Sequence, residues 1–400
     1  MNGFIRTGAT TLAAAVFGGL AVLAIGRATN TLGRTETVVV ETRATARPAA
    51  APATIRGALK PLVGNGFDPA RIYVARAAGV VTVFAYFNDR PSASSQGSGF
   101  VVSPSGYVLT NSHVITDAGD GARGSAARAA SRLYVEFSDH DRVAARVVGW
   151  DIFDDVGLLR VDPAAHPLRP VPLGNSDQVG VGDPVAAIGS PLGNENSLAV
   201  GVVSARRRID SLTSQYSIVD ALQTDAPITH GNSGGPLFDA RGRVIGINAQ
   251  IDSQSGGNDA SVGFAIPIDA AKRSMDQLVA SGHVSYGFAG IETEELTPSL
   301  ARRFGFPRSR GAVVTKVGVD TPAARGGLRG ASRTVVVGDQ SFALGGDLVV
   351  AVDRDPIRNG DDVVRAIATR LPGQTVTFTV YRNGHRRTVS VRLGARPVNP

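Results

Sequence analysis

The chain has no cysteine in 400 residues, which excludes a disulfide framework and any thiolate metal site without excluding export from the cell. It has little net charge beyond its first segment. Residues 1–60 hold seven Arg or Lys against two Glu, +5 of the formal +7, which leaves the rest of the chain with only +2. So slight a balance is no nucleic-acid footprint. The N-terminal charge suits a solvated linker or an anionic membrane surface. Long apolar runs are scarce too. Ala9–Ile25 has the length of a short membrane span or a long signal-peptide core, and it lies between Arg6 and Arg27. No A-x-A cleavage site directly follows it, and Gly18, Gly19 and Gly26 are compatible with a membrane helix. Residues 1–28 are therefore expected to be an uncleaved signal anchor, with a cleaved signal peptide as the alternative, and the bulk of the chain to be extracytoplasmic. A buried core helix is disfavoured because the next forty residues offer it no packing partner.

Residues 29–66 read as a spacer. The tract from Arg43 to Ala53 is built from Ala, Pro, Thr and Arg, a composition that stands a domain off from an anchor rather than packing against it. From Phe67 the apolar residues come in short Val- and Ile-rich runs punctuated by Gly and Pro, the pattern of antiparallel β structure. Strands are predicted at Val80–Phe87, Gly99–Val102, Tyr107–Thr110, Leu133–Phe137, Arg142–Gly149 and Val156–Val161. A second group is predicted at Val185–Ile188, Leu198–Ala205, Ile218–Gln223, Pro236–Phe238, Val244–Ile251 and Gly263–Pro267. Helices are predicted at Asp68–Ala78 and Ile268–Ser281. Asp117–Arg132, rich in Ala, Gly and Arg, reads as a surface-loop insertion.

Three strings carry chemistry. Thr110-Asn111-Ser112-His113-Val114, Asp155-Val156-Gly157-Leu158-Leu159 and Gly231-Asn232-Ser233-Gly234-Gly235-Pro236 succeed one another along the chain. A seryl hydroxyl attacks a carbonyl poorly at neutral pH unless an imidazole takes its proton and a buried carboxylate holds that imidazole's tautomer. His113, Asp155 and Ser233 can supply those groups, in the order of chymotrypsin-like rather than subtilisin-like enzymes. Asp151 and Asp154 lie close enough to compete with Asp155. Asp155 is preferred because it directly precedes the apolar run Val156–Val161, a buried strand able to carry a carboxylate into place. Around Ser233, glycines at 231, 234 and 235 permit a tight backbone that turns amides toward one point, so Gly231, Asn232 and Ser233 are the candidate oxyanion donors.

Together these strings resemble the HtrA/Deg serine proteases. The likeness continues through Gln96-Gly97-Ser98-Gly99-Phe100-Val101-Val102, through Gly106–Val114 and through Gly263-Phe264-Ala265-Ile266-Pro267. It implies a mostly β fold class: a chymotrypsin-like double β-barrel protease domain at 67–282, then a C-terminal α+β PDZ domain at 283–397, with the N-terminal membrane helix ahead of both. It implies catalytic roles for His113 as base, Asp155 as orienting carboxylate and Ser233 as nucleophile, in a cleft between two barrels. It also implies a primary side-chain pocket lined by Ile228 and Ile251, apolar and without a carboxylate, hence cleavage after small or medium aliphatic residues. No metal or cofactor is expected. Two departures stand out: a His-to-Asp interval of 42 residues, lengthened by the insertion, and His230 ahead of Gly231. The lack of cysteine separates the chain from the disulfide-rich digestive branch of chymotrypsin-like enzymes.

Tyr286-Gly287-Phe288-Ala289-Gly290-Ile291 resembles the PDZ carboxylate-binding loop. Phe288, Ala289, Gly290 and Ile291 are thus expected to receive a peptide's terminal carboxylate on backbone N–H groups while the peptide adds a strand to a sheet edge. Ala289 is smaller than the apolar residue usual there. Leu328–Gly346 exceeds a minimal connection and is expected to form an extra hairpin or a loop. The resulting expectation is an ATP-independent serine endopeptidase acting on unfolded or C-terminally exposed envelope polypeptides. It would be held in the cell membrane by a single pass, or be periplasmic or secreted after signal cleavage. Family likeness implies a homotrimer, with Phe67–Tyr73 as the candidate contact. The rival is a PDZ-bearing adaptor or holdase in which hydrolysis is secondary; such a scaffold needs none of the three chemical residues.

Overall fold

The computed structural model describes residues 66–87, 94–120, 127–190, 197–211, 213–214, 216–229, 231–249 and 262–398, together with the backbone of a two-residue strand, β1 (Thr35–Glu36). The span Ala9–Ile25, His230 and the expected pocket residue Ile251 lie outside the described residues. Among the described residues no helix is long and apolar enough to cross a membrane. They divide into two compact units, 66–286 with 396–398, and 287–395.

In the first unit, β2 (Val80–Tyr86), β3 (Ser94–Val101), β4 (Tyr107–Thr110), β5 (Arg132–Glu136), β6 (Arg142–Asp151) and β7 (Val156–Val161) close a barrel in the order β2-β3-β4-β7-β6-β5. A second closed barrel is formed by β8 (Pro184–Gly189), β9 (Ser197–Asp210), β10 (Ser217–Thr224), β11 (Pro236–Phe238), β12 (Val244–Ala249) and β13 (Gly263–Pro267), in the order β10-β13-β12-β11-β8-β9. Strand side chains alternate between faces, and here both faces are covered. Val81, Val83, Val101, Val108 and Leu159 fill the first barrel. Their neighbours Val80, Phe100, Leu109 and Leu158 instead join Ile188, Phe238 and Ile247 of the second barrel in a shared core. Burial on both sides is why these strands read as unbroken apolar runs rather than as alternating ones. Full burial of a side chain such as Phe100 or Phe238 is worth roughly 1.5–3 kcal/mol. The shared core fixes the two barrels against each other and so fixes the residues at their junction.

The helix Ile268–Ser281 buries Ile268, Ala271 and Leu278, spaced by three and seven residues, and ends on Gly282 in the left-handed conformation, φ 75°. It lies against β6, where a Cβ on Gly149 would come within 2.4 Å of the Gly282 carbonyl oxygen. The opening helix runs Pro69–Arg76, capped by the Asp68 carboxylate, which accepts the Arg71 N–H at 3.0 Å. Phe67 and Tyr73 pack against the chain's own core, and Val74, 83% exposed, is a large apolar side chain of that helix turned to solvent. The insertion after Thr116 is pinched at its base, where Thr116 bridges Ala129 and the Asp117 carboxylate accepts the Arg128 N–H at 2.6 Å.

The second unit starts with β14 (Gly287–Phe288), which pairs with β23 (Gly394–Ala395) at its end. Between them β15 (Ile291–Leu296), β16 (Gly311–Val317), β19 (Leu348–Val352), β21 (Thr375–Arg382) and β22 (His385–Arg392) form a sheet in that order, with β20 (Asp355–Pro356) against β19. The helix Gly360–Ala368 and the shorter helices Pro298–Phe304 and Pro322–Gly326 complete the α+β unit. The long connection after Leu328 forms a hairpin, β17 (Arg333–Val337) and β18 (Gln340–Leu344), joined by Gly338-Asp339 with Gly338 at φ 67°. Two-residue turns need such a left-handed position, which glycine supplies without strain. Strand β1 pairs in parallel with β17.

Candidate active site

His113 sits on the single-turn helix Ser112–Ile115 that comes after β4, and Asp155 on the turn from β6 to β7. The antiparallel pairing of β4 with β7, Thr110 opposite Gly157, brings the two together across 42 residues. His113 Nδ1 lies 2.7 Å from Asp155 Oδ2. The other carboxylate oxygen accepts the Ser112 hydroxyl at 2.7 Å and the His113 backbone N–H at 3.0 Å. Asn111 Nδ2 donates to the Asp155 carbonyl at 2.9 Å. Asp155 is buried and holds a left-handed backbone, φ 52°. A carboxylate so thoroughly hydrogen-bonded cannot swing away from the imidazole. Burial of the His113 ring opposes protonation, but the charge and hydrogen bond of Asp155 outweigh it and hold the imidazole above its ordinary pKa. Asp154 and Asp151, the competing carboxylates, bond elsewhere. Asp151 Oδ1 accepts the N–H groups of Phe153 and Asp154 and so shapes the turn that presents Asp155.

Ser233 comes from the other barrel, in the loop before β11. Its carbonyl accepts the Ser98 N–H at 2.7 Å, which ties the loop to β3. Gly234 adopts φ 86°, and a Cβ there would stand 2.4 Å from Thr110 Oγ1 and 3.1 Å from the Asn111 nitrogen. Only glycine lets the serine loop approach the strand end that bears His113. Gly231 is also left-handed, φ 97°. The Asn232 N–H, one of the three expected oxyanion donors, is donated to the Thr229 carbonyl at 3.0 Å. Ser98 was not singled out by sequence reasoning, although its string was. Fully buried, it donates its hydroxyl to the Gly231 carbonyl at 2.5 Å and accepts the Ser190 N–H at 2.9 Å, locking β3, β8 and the serine loop together. The glycines on either side of it, Gly97 and Gly99, were the available signal: a Cβ on Gly97 would meet Val114 at 2.7 Å and the Ser233 carbonyl at 3.0 Å.

Ile228 is 9% exposed and packs with Leu222, Ala226 and Ala265 at the second barrel's core. In the second unit, the carbonyls of Ala289 and Gly290 accept the N–H groups of Ala323 and Gly318, at 2.8 and 3.0 Å. Phe288–Ile291 thereby leads into β15, an outer strand of its sheet among the described residues. Ala289 itself is buried. Among the described residues no group of three or more His, Cys, Asp or Glu could hold a metal ion.

Comparison with known proteins agrees with both units. Residues 97–247 match the family of trypsin-like peptidase domains, and residues 287–393 match the PDZ domain family. A probable periplasmic serine endoprotease DegP-like of Pseudomonas fulva is 40% identical over 307 residues, covering 77% of this chain and 57% of that protein. A protein of the same description from Pseudomonas savastanoi is 40% identical over 303 residues, with 76% and 56% covered. The chain thus spans little more than half the length of these relatives. Among solved structures, the HtrA-type protease AlgW with a tripeptide is 34% identical, with a TM-score of 0.66, covering 82% of this chain and 98% of that one.

Proposed function

We propose, because the chain belongs to the HtrA-type serine proteases, that it is an endopeptidase hydrolysing peptide bonds of unfolded or C-terminally exposed polypeptides. The observation that carries this reading is the buried Asp155 carboxylate held against His113 Nδ1 at 2.7 Å, with the Ser233 loop tied to β3, the strand that pairs with β4 just ahead of His113. In this mechanism Ser233 Oγ attacks the scissile carbonyl, and His113 takes its proton and returns it to the leaving amine. Asp155 fixes the imidazole's tautomer throughout. The N–H groups of Gly231 and Ser233 receive the oxyanion. Ile228 and Ile251 give a primary pocket that accepts small or medium aliphatic side chains. The purified protein is expected to degrade unfolded casein and to be labelled covalently by a fluorophosphonate. A protein that does neither is the peptide-binding adaptor instead.

The PDZ unit supplies a second binding site in this reading. A peptide's free carboxylate is received at Phe288–Ile291, and its backbone extends the sheet at β15. Peptides ending in an apolar residue should bind the protein at least tenfold more tightly than their C-terminal amides, since the amide lacks the charge that backbone N–H groups favour. Equal affinity for both in a fluorescence-polarisation titration would remove the carboxylate from the recognition. Residues 9–25 as an anchor, an extracytoplasmic location like that named for the periplasmic relatives, and a trimer complete the proposal. Cell fractionation and light scattering read these directly; a soluble cytoplasmic monomer would refute them.

A further inference from the structure

The turn that presents Asp155 is fixed from outside at every residue. Asp151 Oδ1 takes the turn's own N–H groups, and its Oδ2 accepts the hydroxyls of Ser274, at 2.6 Å, and Tyr286, at 2.5 Å. The same Tyr286 oxygen lies 2.8 Å from Asp154 Oδ2. The Ile152 carbonyl accepts the Thr213 hydroxyl at 2.6 Å. The Phe153 ring meets Tyr216 and Tyr286 edge-on, at 5.5 and 5.4 Å. The Arg396 guanidinium stands over all three rings, 4.9 to 5.3 Å from their centres. The groups that hold the turn come from the β9–β10 connection (Thr213 and Tyr216), the helix Ile268–Ser281 (Ser274), and the segments that flank 287–395 in the chain (Tyr286 and Arg396).

Two carboxylates facing one hydroxyl present a counting problem. The tyrosine has a single proton to donate, so the pair either shares an additional proton or keeps two like charges in contact with the same oxygen. Burial, and then the neighbouring Asp154 charge, push Asp151 up to about 6. Burial and the same two carboxylates hold the Tyr286 hydroxyl protonated well beyond the ordinary range. The other ionisable groups around the pair among the described residues are Arg396, over the Phe153 ring, Tyr216, edge-on to that ring, and His283, which lines the same cavity as Asp151. Asp154 immediately precedes Asp155. A shift of the Asp154 backbone is therefore passed straight to the carboxylate that must stay 2.7 Å from His113.

We propose that Tyr286 is a positioning residue for Asp155: its hydroxyl bridges Asp151 and Asp154 and so holds the turn at which the carboxylate meets the imidazole. The proposal rests on the proteolytic function proposed for Ser233, His113 and Asp155. It is tested in the full-length protein with Tyr286→Phe, and with the double variant that adds Asp154→Asn, by measuring peptide hydrolysis and fluorophosphonate labelling against pH. Tyr286→Phe keeps the ring against Phe153 and Arg396 and loses the bridge together with the hydroxyl's longer contact to Ser274 Oγ, at 3.3 Å. It should lower kcat by about tenfold or more, as small misplacements of catalytic groups do, with KM unchanged. The acid limb of kcat should move to lower pH, because a displaced Asp155 no longer raises His113. Adding Asp154→Asn should restore most of the rate by removing one of the two opposed charges. Wild-type kcat and acid limb in Tyr286→Phe would overturn the proposal, and so would a lower rate with an unmoved limb and no rescue. Failure of the proteolytic function looks different: the wild-type protein itself is then unlabelled at every pH.

Discussion

Ser233→Ala is expected to lower kcat on unfolded casein by about a million-fold, the scale on which loss of a seryl nucleophile acts when the rest of its triad stays in place. Fluorophosphonate labelling should vanish with it. The loss is chemical rather than structural. The contact that anchors this residue to β3 is made by its backbone carbonyl, which accepts the Ser98 N–H at 2.7 Å, and alanine keeps that carbonyl. Circular dichroism and affinity for peptides with a free C-terminus should therefore be unchanged. Retention of most of the hydrolysis in the purified variant would move the nucleophile to another residue.

Asp155→Asn is expected to cost about ten-thousand-fold in kcat. The carboxylate accepts three hydrogen bonds, from the Ser112 hydroxyl, the His113 N–H and the imidazole. An amide can satisfy the first two only by aiming its NH2 group at Nδ1, which then has to be the unprotonated nitrogen. The proton is left on Nε2, where a general base cannot carry it. The imidazole sets the sign of the accompanying pH effect. Asp155 is what raises His113 against the effect of burial, so its removal lowers that pKa. The neutral form persists to lower pH, and the acid limb of the residual activity moves in the acid direction. A limb that stays in place would mean that Asp155 does not face the ionising histidine.

Much of this arrangement is legible in the residues themselves, and the parts that are not share a cause. Tyr107–Thr110, Val156–Val161 and Pro236–Phe238 are strands with the expected bounds, each bracketed by Gly or polar residues (Gly106 and Asn111, Asp155 and Asp162, Gly235 and Asp239), and Gly263–Pro267 also keeps its bounds, running straight into the helix that begins at Ile268. Edges that end in half-buried residues drift: Leu198–Ala205 becomes Ser197–Asp210, extending through polar residues such as Arg206 and Arg207, whose guanidinium groups donate to the Ser176 carbonyl at 3.1 Å and to Gln223 Oε1 at 2.6 Å. Asp155 could be told from Asp151 and Asp154 by the apolar run Val156–Val161 that begins at the next residue. The bonds of Asp151 could not, since its partners Ser274 and Tyr286 lie more than 120 residues away. Periodicity states which face of an element is apolar but not which polar atoms meet across a core. Ser98 escapes for the same reason: its role is set by the Gly231 carbonyl and the Ser190 N–H, which lie on other segments.

The backbone N–H of Arg396 donates to the carbonyl of Tyr286 at 3.0 Å. Seen from the unit 66–286, residues 287–395 are thus an insertion whose point of departure and point of return touch. Such an insertion can be spliced out and the gap closed by a few glycines, because the ends already meet and closing a short loop costs little chain entropy. Cutting the chain at 284 is a different operation, since it also discards Tyr286 and Arg396 and with them the clasp on the Asp151–Asp155 turn. The insertion has, in effect, a single root. Gly287 is also paired with Ala395 across β14 and β23, so the two ends of the insertion are held together once inside 287–395 and once again by the Arg396–Tyr286 bond just outside it.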